Sequence, residues 1–155
     1  MQVVAYEAPG WGVGELWFDD GVLVNHELPR AAMPRGLTPS VENALVARVQ
    51  SYFRGEDVDF RDVAVDLSWT TPFQRAVANV LRQVPYGETV TYGELAALAG
   101  HPNAQRAAGT FCAGNRFPLF VPCHRVVAAD GLGSYGALGL EYKWRLLELE
   151  GHAAV

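Results

Sequence analysis

The chain carries one polar island inside an apolar run. It reads Val121-Pro122-Cys123-His124-Arg125-Val126-Val127, within a stretch from 119 to 128 that is otherwise apolar. Each polar side chain in such a setting costs desolvation free energy unless it finds a partner. A cysteine by itself is most often a small core residue. Cys123 followed at once by His124 and Arg125 reads better as an activated thiol. A free thiol with a pKa of about 8.5 is mostly protonated at neutral pH, so a neighbouring base or cation must help form the thiolate. His124 is the obvious base. The thiolate would be a soft nucleophile, suited to displacement at a saturated carbon. A third group should orient the histidine, and Glu150, near the end of the last predicted helix, is the candidate. In a regular strand, residues 123 and 124 would point to opposite faces. The pair therefore calls for a turn, or for a water between the two side chains.

Other chemistries need partners the sequence does not offer. A cysteine hydrolase needs an oxyanion site, and a redox enzyme needs a resolving thiol. The second cysteine, Cys112, lies eleven residues earlier across a predicted helix end, and nothing in the sequence brings it to Cys123. No disulfide framework is expected. No Cys or His pair with finger-like spacing accompanies the two cysteines, so no metal is expected, and no cofactor either.

The 155 residues suit one domain or a compact pair of subdomains, and 50% hydrophobic residues are too many for a disordered chain. No apolar run approaches the roughly 20 residues that span a bilayer, so no membrane partner is expected. No basic, apolar, small-residue signal opens the chain, which makes the cytoplasm the expected compartment. The net charge of −5 is unevenly spread. Residues 1–70 carry five Arg against eleven Asp and Glu. Residues 71–125 reverse this, with Arg75, Arg82, Arg106, Arg116 and Arg125 against Glu88 and Glu94. This asymmetry points to the middle segment as the one that meets a polyanion, and a solvated, mixed surface accounts for the charges equally well.

The elements that must position the island follow from caps and periodicity. Glu15–Phe18 and Val22–His26 flank Asp19-Asp20-Gly21 and predict a hairpin. Pro29, Pro34 and Gly36 predict a loop over 29–37. Ser40 is placed to cap a helix running to about Arg54, with Val41, Leu45, Val49 and Phe53 on one face. Residues 56–70 read as a strand or an extended connection. Thr71 and Pro72 open a helix to about Val84. Thr91 with Glu94 forms a capping-box pattern for a short helix from Tyr92 to Ala99. Asn103 is read as the cap of a helix from Ala104 to about Ala113. Two short helices around a turn suggest a helix-turn-helix. A glycine-rich loop, Gly131 to Gly139, precedes a last helix from about Glu141 to Glu150.

From about Thr71 to Gly151 the chain resembles the O6-alkylguanine-DNA alkyltransferase family. The resemblance rests on Thr71-Pro72-Phe73-Gln74-Arg75, Val84-Pro85-Tyr86-Gly87-Glu88, Thr91-Tyr92, Asn115, the 121–127 island, and Lys143 with Leu146-Leu147 and Glu150-Gly151. It implies that Cys123 is the alkyl acceptor, that His124 deprotonates it through a water, and that Glu150 holds the histidine. Asn115 would brace the site against the helix-turn-helix. Arg106 would enter the DNA stack in place of a flipped nucleotide. Tyr92 would crowd the target phosphate and contact the guanine edge. Tyr135 would lie in the loop over the base, with the Gly136 N–H near the O6 atom. The backbone carbonyls of Cys123 and Val126 would read the guanine amino group. Two departures stand out. The loop Gly131–Gly139 differs from the usual tyrosine-small-Gly-Gly pattern, its tyrosine one residue closer to the cysteine, and Cys112 stands where an apolar residue is expected.

The resulting expectation is an α/β (α+β) fold. A small strand-and-helix subdomain over 1–70 precedes a mainly helical DNA-binding and alkyl-acceptor domain over 71–155. The expected function is single-turnover transfer of an alkyl group from O6-alkylguanine in double-stranded DNA, with O4-alkylthymine left open as a second substrate, to Cys123. The expected protein acts as a monomer through the minor groove. The alternative is a non-catalytic sensor of alkylation damage.

Overall fold

The computed structural model describes residues 1–31 and 43–152. The chain folds as two compact units, Met1–Asp66 and Leu67–Val155. Mixed helices and small sheets make it an α+β protein.

The first unit is an antiparallel three-stranded meander, β1 (Gln2–Ala8), β2 (Gly12–Asp19) and β3 (Val22–Arg30), with one helix, α1 (Ala44–Phe53). The sequence-predicted hairpin is the β2–β3 pair, turning at Asp20-Gly21. Strand β1 was not anticipated. Its pattern is only partly alternating, since Val4, Ala5, Tyr6 and Ala8 are all buried. The core joins Tyr6, Leu16 and Leu23 of the sheet to Val46, Val49 and Tyr52 of α1. The expected Ser40 cap and most of the 29–37 loop lie outside the described residues. The helix opens instead at Asn43, whose side chain accepts from the N–H groups of Leu45 (2.8 Å) and Val46 (3.3 Å). The acidic connection after α1 is extended only in part. It makes one parallel bridge, Leu23 to Val65, with Asp66 N–H donating to the Leu23 carbonyl at 2.9 Å.

The second unit holds α2 (Pro72–Leu81), β4 (Val90–Thr91), α3 (Tyr92–Leu98), α4 (Gln105–Ala113), β5 (Val126–Val127) and α5 (Gly139–Leu149). Both predicted capping boxes form. Thr71 Oγ1 accepts from Gln74 N–H while Gln74 Oε1 accepts from Thr71 N–H, and Thr91 and Glu94 do the same at α3. The cap predicted for α4 is corrected. Asn103 sits at φ 71° in the turn, and Ala104 is the N-cap, with no side-chain cap bond. An aspartate-like cap was read from residue type, but the left-handed turn claims the asparagine instead. Strands β4 and β5 pair in parallel, Val90 with Val126 and Thr91 with Val127. This two-residue ladder fixes the start of α3 beside the polar island. The last helix begins two residues earlier than read, at Gly139. It ends where Gly151 takes φ 96°, which lets the His152 N–H reach back to the Leu147 carbonyl at 3.0 Å. That stop leaves Glu150 as the C-cap, with its carboxylate turned inward.

Candidate active site

The island is neither a strand nor a loop at its centre. Cys123–Arg125 form one turn of 3-10 helix, and only Val126 and Val127 are strand. Cys123 N–H donates to the Val121 carbonyl and Arg125 N–H to the Pro122 carbonyl, at 2.8 and 2.9 Å. The turn removes the opposite-face problem that a strand would have imposed on residues 123 and 124. Cys123, His124 and Arg125 are all buried.

Asn115 holds the thiol from the other side. It follows the end of α4, its Nδ2 donating to Cys123 Sγ at 3.2 Å and to the Val121 carbonyl at 2.7 Å. Its Oδ1 accepts from Phe117 N–H at 2.9 Å, so both ends of the amide are used. Burial pushes the Cys123 thiol well up. Cys112 pushes the same way, while the Asn115 amide and the positive charge of Lys143 pull it down. The resting group is a thiol, and it needs a base.

His124 Nε2 lies 2.5 Å from Glu150 Oε2. A carboxylate can only accept, so Nε2 carries the proton and Nδ1 remains as the basic nitrogen. Burial lowers the His124 pKa, against the pull of Glu150, so the ring is neutral and able to take a proton at neutral pH. Glu150 is ionised. Burial would raise its carboxyl, but the hydrogen bonds from His124 and Arg125 and the positive charge of Arg125 outweigh this and hold it far below the usual range. Arg125 contributes Nε to Oε1 at 2.9 Å and Nη2 to Oε2 at 3.1 Å, a bidentate pair, and Gly87 N–H adds a bond to Oε1 at 3.0 Å. The remaining Arg125 nitrogen, Nη1, donates to the Val84 carbonyl at 2.8 Å.

A cleft of about 680 Å³ is lined by Tyr92, Asn103, Gln105, Arg106, Gly109, Gly133 and Ser134. Arg106 is exposed near the start of α4. Tyr92, the first residue of α3, is half-buried, and its hydroxyl donates to the Ser134 carbonyl at 3.4 Å. Burial raises its pKa, so it carries its proton at neutral pH. The 131–139 loop packs on that ring. Gly133 takes φ 81°, and a Cβ there would lie 2.8 Å from Tyr92 Cε2, so only glycine fits. Tyr135 leads into a 3-10 turn, Gly136–Leu138. Its hydroxyl is buried without a hydrogen-bond partner among the described residues. Its pKa is raised well above the usual value, by burial first. Gly136 is exposed, and Val126 is buried in β5.

A family model, 6-O-methylguanine DNA methyltransferase, DNA binding domain, matches residues 72–152. The chain belongs to this family. A methylated-DNA–protein-cysteine methyltransferase of Methanopyrus kandleri is 46% identical over 125 residues, covering 77% of this chain and 92% of the relative. The chain's fold matches the crystal structure of Mycobacterium tuberculosis OGT in complex with DNA with a TM-score of 0.79 and 36% identity, over 96% of this chain and 92% of that one. It matches the O6-methylguanine-DNA methyltransferase of Pyrococcus kodakaraensis with a TM-score of 0.74 and 28% identity, over 97% and 100%.

Sequence reasoning for this methyltransferase-family chain missed three participants. Arg125 was read as part of the island but not as the second holder of Glu150. The signal was present, because a buried arginine needs a carboxylate. Lys143 was noted only as a matching residue, yet it is fully buried and bonded to backbone near the site. Cys112 corrects an expectation outright. It is near enough to Cys123 to push the acceptor thiol up, where the sequence offered nothing to bring the two together. The helix end that was thought to separate the cysteines is short, and Asn115 N–H closes it onto the Cys112 carbonyl at 3.2 Å. No group of three or more His, Cys, Asp or Glu able to hold a metal occurs among the described residues. Among them no helix is long and apolar enough to cross a membrane.

Proposed function

We propose that the chain repairs alkylated DNA by moving the alkyl group from O6 of guanine in duplex DNA onto Cys123 Sγ, once per molecule. The observation that carries the reading is the relay itself. A buried thiol, held by Asn115, is followed in the same turn by a neutral histidine whose Nε2–H is fixed on an ionised carboxylate. His124 Nδ1 takes the thiol proton through a water. The thiolate attacks the alkyl carbon, the carbon–O6 bond breaks, and its electron pair passes to the purine. Tyr92, protonated at neutral pH, supplies a proton to the departing purine. The product is a thioether, and no group in the site reverses it.

Delivery of the base follows from the exposed side. A guanine stacked in a duplex cannot present its O6 substituent to a buried thiol, so it must be flipped, at a cost of a few kcal/mol. Helices α3 and α4 act as a helix-turn-helix on the minor groove. Arg106 refills the gap in the stack. Tyr135 and the Gly136 N–H then cover the base, while the carbonyls of Cys123 and Val126 read its amino group. The relatives support the reading through their names, one of them bound to DNA. The non-catalytic sensor is the second reading, and the presence of Cys123 within a complete relay counts against it.

The deciding experiment is intact-protein mass after incubation with a duplex holding one O6-methylguanine, beside Cys123→Ser. A gain of one methylene, mapped to Cys123 and stopping at one per molecule, is expected, and the serine variant should gain nothing. Tight lesion binding with no mass gain would replace the enzyme by the sensor.

A further inference from the structure

Trp69 stands just before α2, in a turn of the second unit. Its half-buried ring meets three side chains of one stretch, the end of α4 and the turn that follows. The Phe111 ring stacks on it, with centroids 6.4 Å apart and planes 20° apart. The Phe117 ring lies 6.5 Å away at 36°. The Arg116 guanidinium lies over the indole, 4.2 Å from its centre. Phe111 and Phe117 are buried, whereas Arg116 is exposed. An exposed cation that lies on an indole is attracted by the negative face of the ring. Within the stretch those three residues span is Asn115. Its Nδ2 is the donor that reaches Cys123 Sγ at 3.2 Å and the Val121 carbonyl at 2.7 Å.

Asn115 lies outside regular structure. Helix α4 ends at Ala113, and the next helical turn is Cys123–Arg125. The backbone around Asn115 is tied locally, by its N–H to the Cys112 carbonyl at 3.2 Å and by Phe117 N–H to its Oδ1 at 2.9 Å. A thiol sulfur is a weak acceptor, so this bond does not hold the asparagine in place by itself. The rings on either side can. Phe111 anchors the helix end, Phe117 anchors the turn, and one indole joins the two anchors while Arg116 covers it. We infer that Trp69 is a positioning residue: packed against Phe111, Arg116 and Phe117, it holds the 111–117 stretch so that Asn115 Nδ2 stays on the acceptor sulfur. A small residue at 69 would leave two phenyl rings without a neighbour and the guanidinium without its platform, and the stretch would relax into the space. A donor on the sulfur favours the thiolate, so losing it slows the nucleophile. The effect on rate rests on the proposed alkyl transfer, whereas the effect on Asn115 does not.

The test is a double-mutant cycle on the full-length chain, with Trp69→Ala, Asn115→Ala and the two together, beside Trp69→Phe as the conservative variant. Two readouts are taken. One is exchange of the Asn115 side-chain amide protons with water, followed by NMR, which needs no alkyl donor. The other is the single-turnover rate of Cys123 alkylation by free O6-benzylguanine, followed by intact mass, so that DNA docking does not enter. Trp69→Ala should speed exchange of the Asn115 amide at least about tenfold, while backbone amides of α2 and α5 keep their protection. It should slow alkylation by about 3–10-fold, as a misplaced group does. In the Asn115→Ala background the same change should cost less than about twofold, because its route to the thiol is already gone. Trp69→Phe should recover most of the loss. A merely structural tryptophan would lower the rate by one factor in both backgrounds, and that outcome, or unchanged Asn115 exchange, overturns the inference. If Trp69→Ala does not fold, Trp69→Phe and Arg116→Ala carry the same cycle with smaller changes in the same direction. If the wild type itself gains no mass, the functional reading fails, and the exchange of the Asn115 amide alone decides the positioning.

Discussion

Around Glu150 four N–H donors converge on two carboxylate oxygens, and His124, Arg125 and Glu150 are all buried. Around Arg106, some residues of the same unit away, an exposed cation faces a cleft of about 680 Å³. The first region is complete without a ligand. The second makes sense only with one, because an exposed arginine beside an open, partly polar cleft gains its partners from outside. Chemistry and recognition are thus separated. In the proposed reaction the His124–Glu150 pair is already in place and needs no rearrangement. The lip proposed to meet DNA presents its cation outward. The two should respond differently to mutation: the buried cluster in stability and acid tolerance, the lip in substrate dependence.

The largest effect is expected at Arg125→Ala. It strips two bonds from Glu150 and one from the Val84 carbonyl. Breaking one side of a buried ion pair costs about 3–5 kcal/mol, readable by urea unfolding at neutral pH. A loss below about 1 kcal/mol would show that the cluster does not hold the fold. The pH dependence sharpens the point. The Glu150 carboxyl is depressed in the fold, so its contribution is complete above the ordinary value of 4.5 and is lost as pH falls below it. His124 is also depressed, from 6.5, because burial keeps it neutral. Its contribution is complete above 6.5 and declines as the solution becomes more acid. The wild type should therefore lose stability steadily from about pH 6.5 downward, and the alanine variant should show a shallower fall below pH 4.5, where Glu150 has less left to lose.

At the lip the expected effect is kinetic. Arg106→Ala should slow alkyl transfer from a duplex by about 10–100-fold, the equivalent of part of an unstacking cost of a few kcal/mol. Transfer from free modified guanine, which needs no flipping, should change little. Stability should stay within about 0.5 kcal/mol, since the side chain is exposed. Equal losses on both substrates would remove Arg106 from the stack and weaken the separation of chemistry from recognition.

What could be read from sequence follows the same division. Caps and punctuation are local chemistry, so Thr71, Pro72, Thr91 and Gly151 marked helix ends that the structure reproduces. Strand β1 was missed because Val4 and Ala5 are both buried, and two adjacent buried residues break the alternation that reveals a strand. Asn103 was taken as a cap because asparagine suits both a cap and a left-handed turn, and only the surrounding chain chooses. In the site, Cys123, His124 and Glu150 were visible from type and order. Lys143 and Cys112 were not, because their importance lies in which backbone carbonyls and which thiol they meet across the fold, and no spacing rule encodes that.

The smallest effect concerns the boundary between the two regions. Cys112 lies on α4, the helix that carries Arg106, yet it is near enough to the acceptor to push its thiol up. Burial is the larger cause of that rise, and Cys112 adds to it. Cys112→Ala should therefore make the thiolate easier to form and increase alkylation at neutral pH by about two- to threefold, with the acid limb of the pH–rate profile moved to lower pH. Cys112→Ser, which keeps a hydroxyl donor, should fall between. The experiment is the pH dependence of single-turnover alkylation by a free modified guanine, so that DNA docking does not enter. If the profile of the alanine variant superimposes on the wild type, Cys112 does not tune the nucleophile and serves only to pack the end of α4. If it shifts as expected, the helix that meets DNA also sets the reactivity of the thiol, and chemistry and recognition are coupled at this one residue.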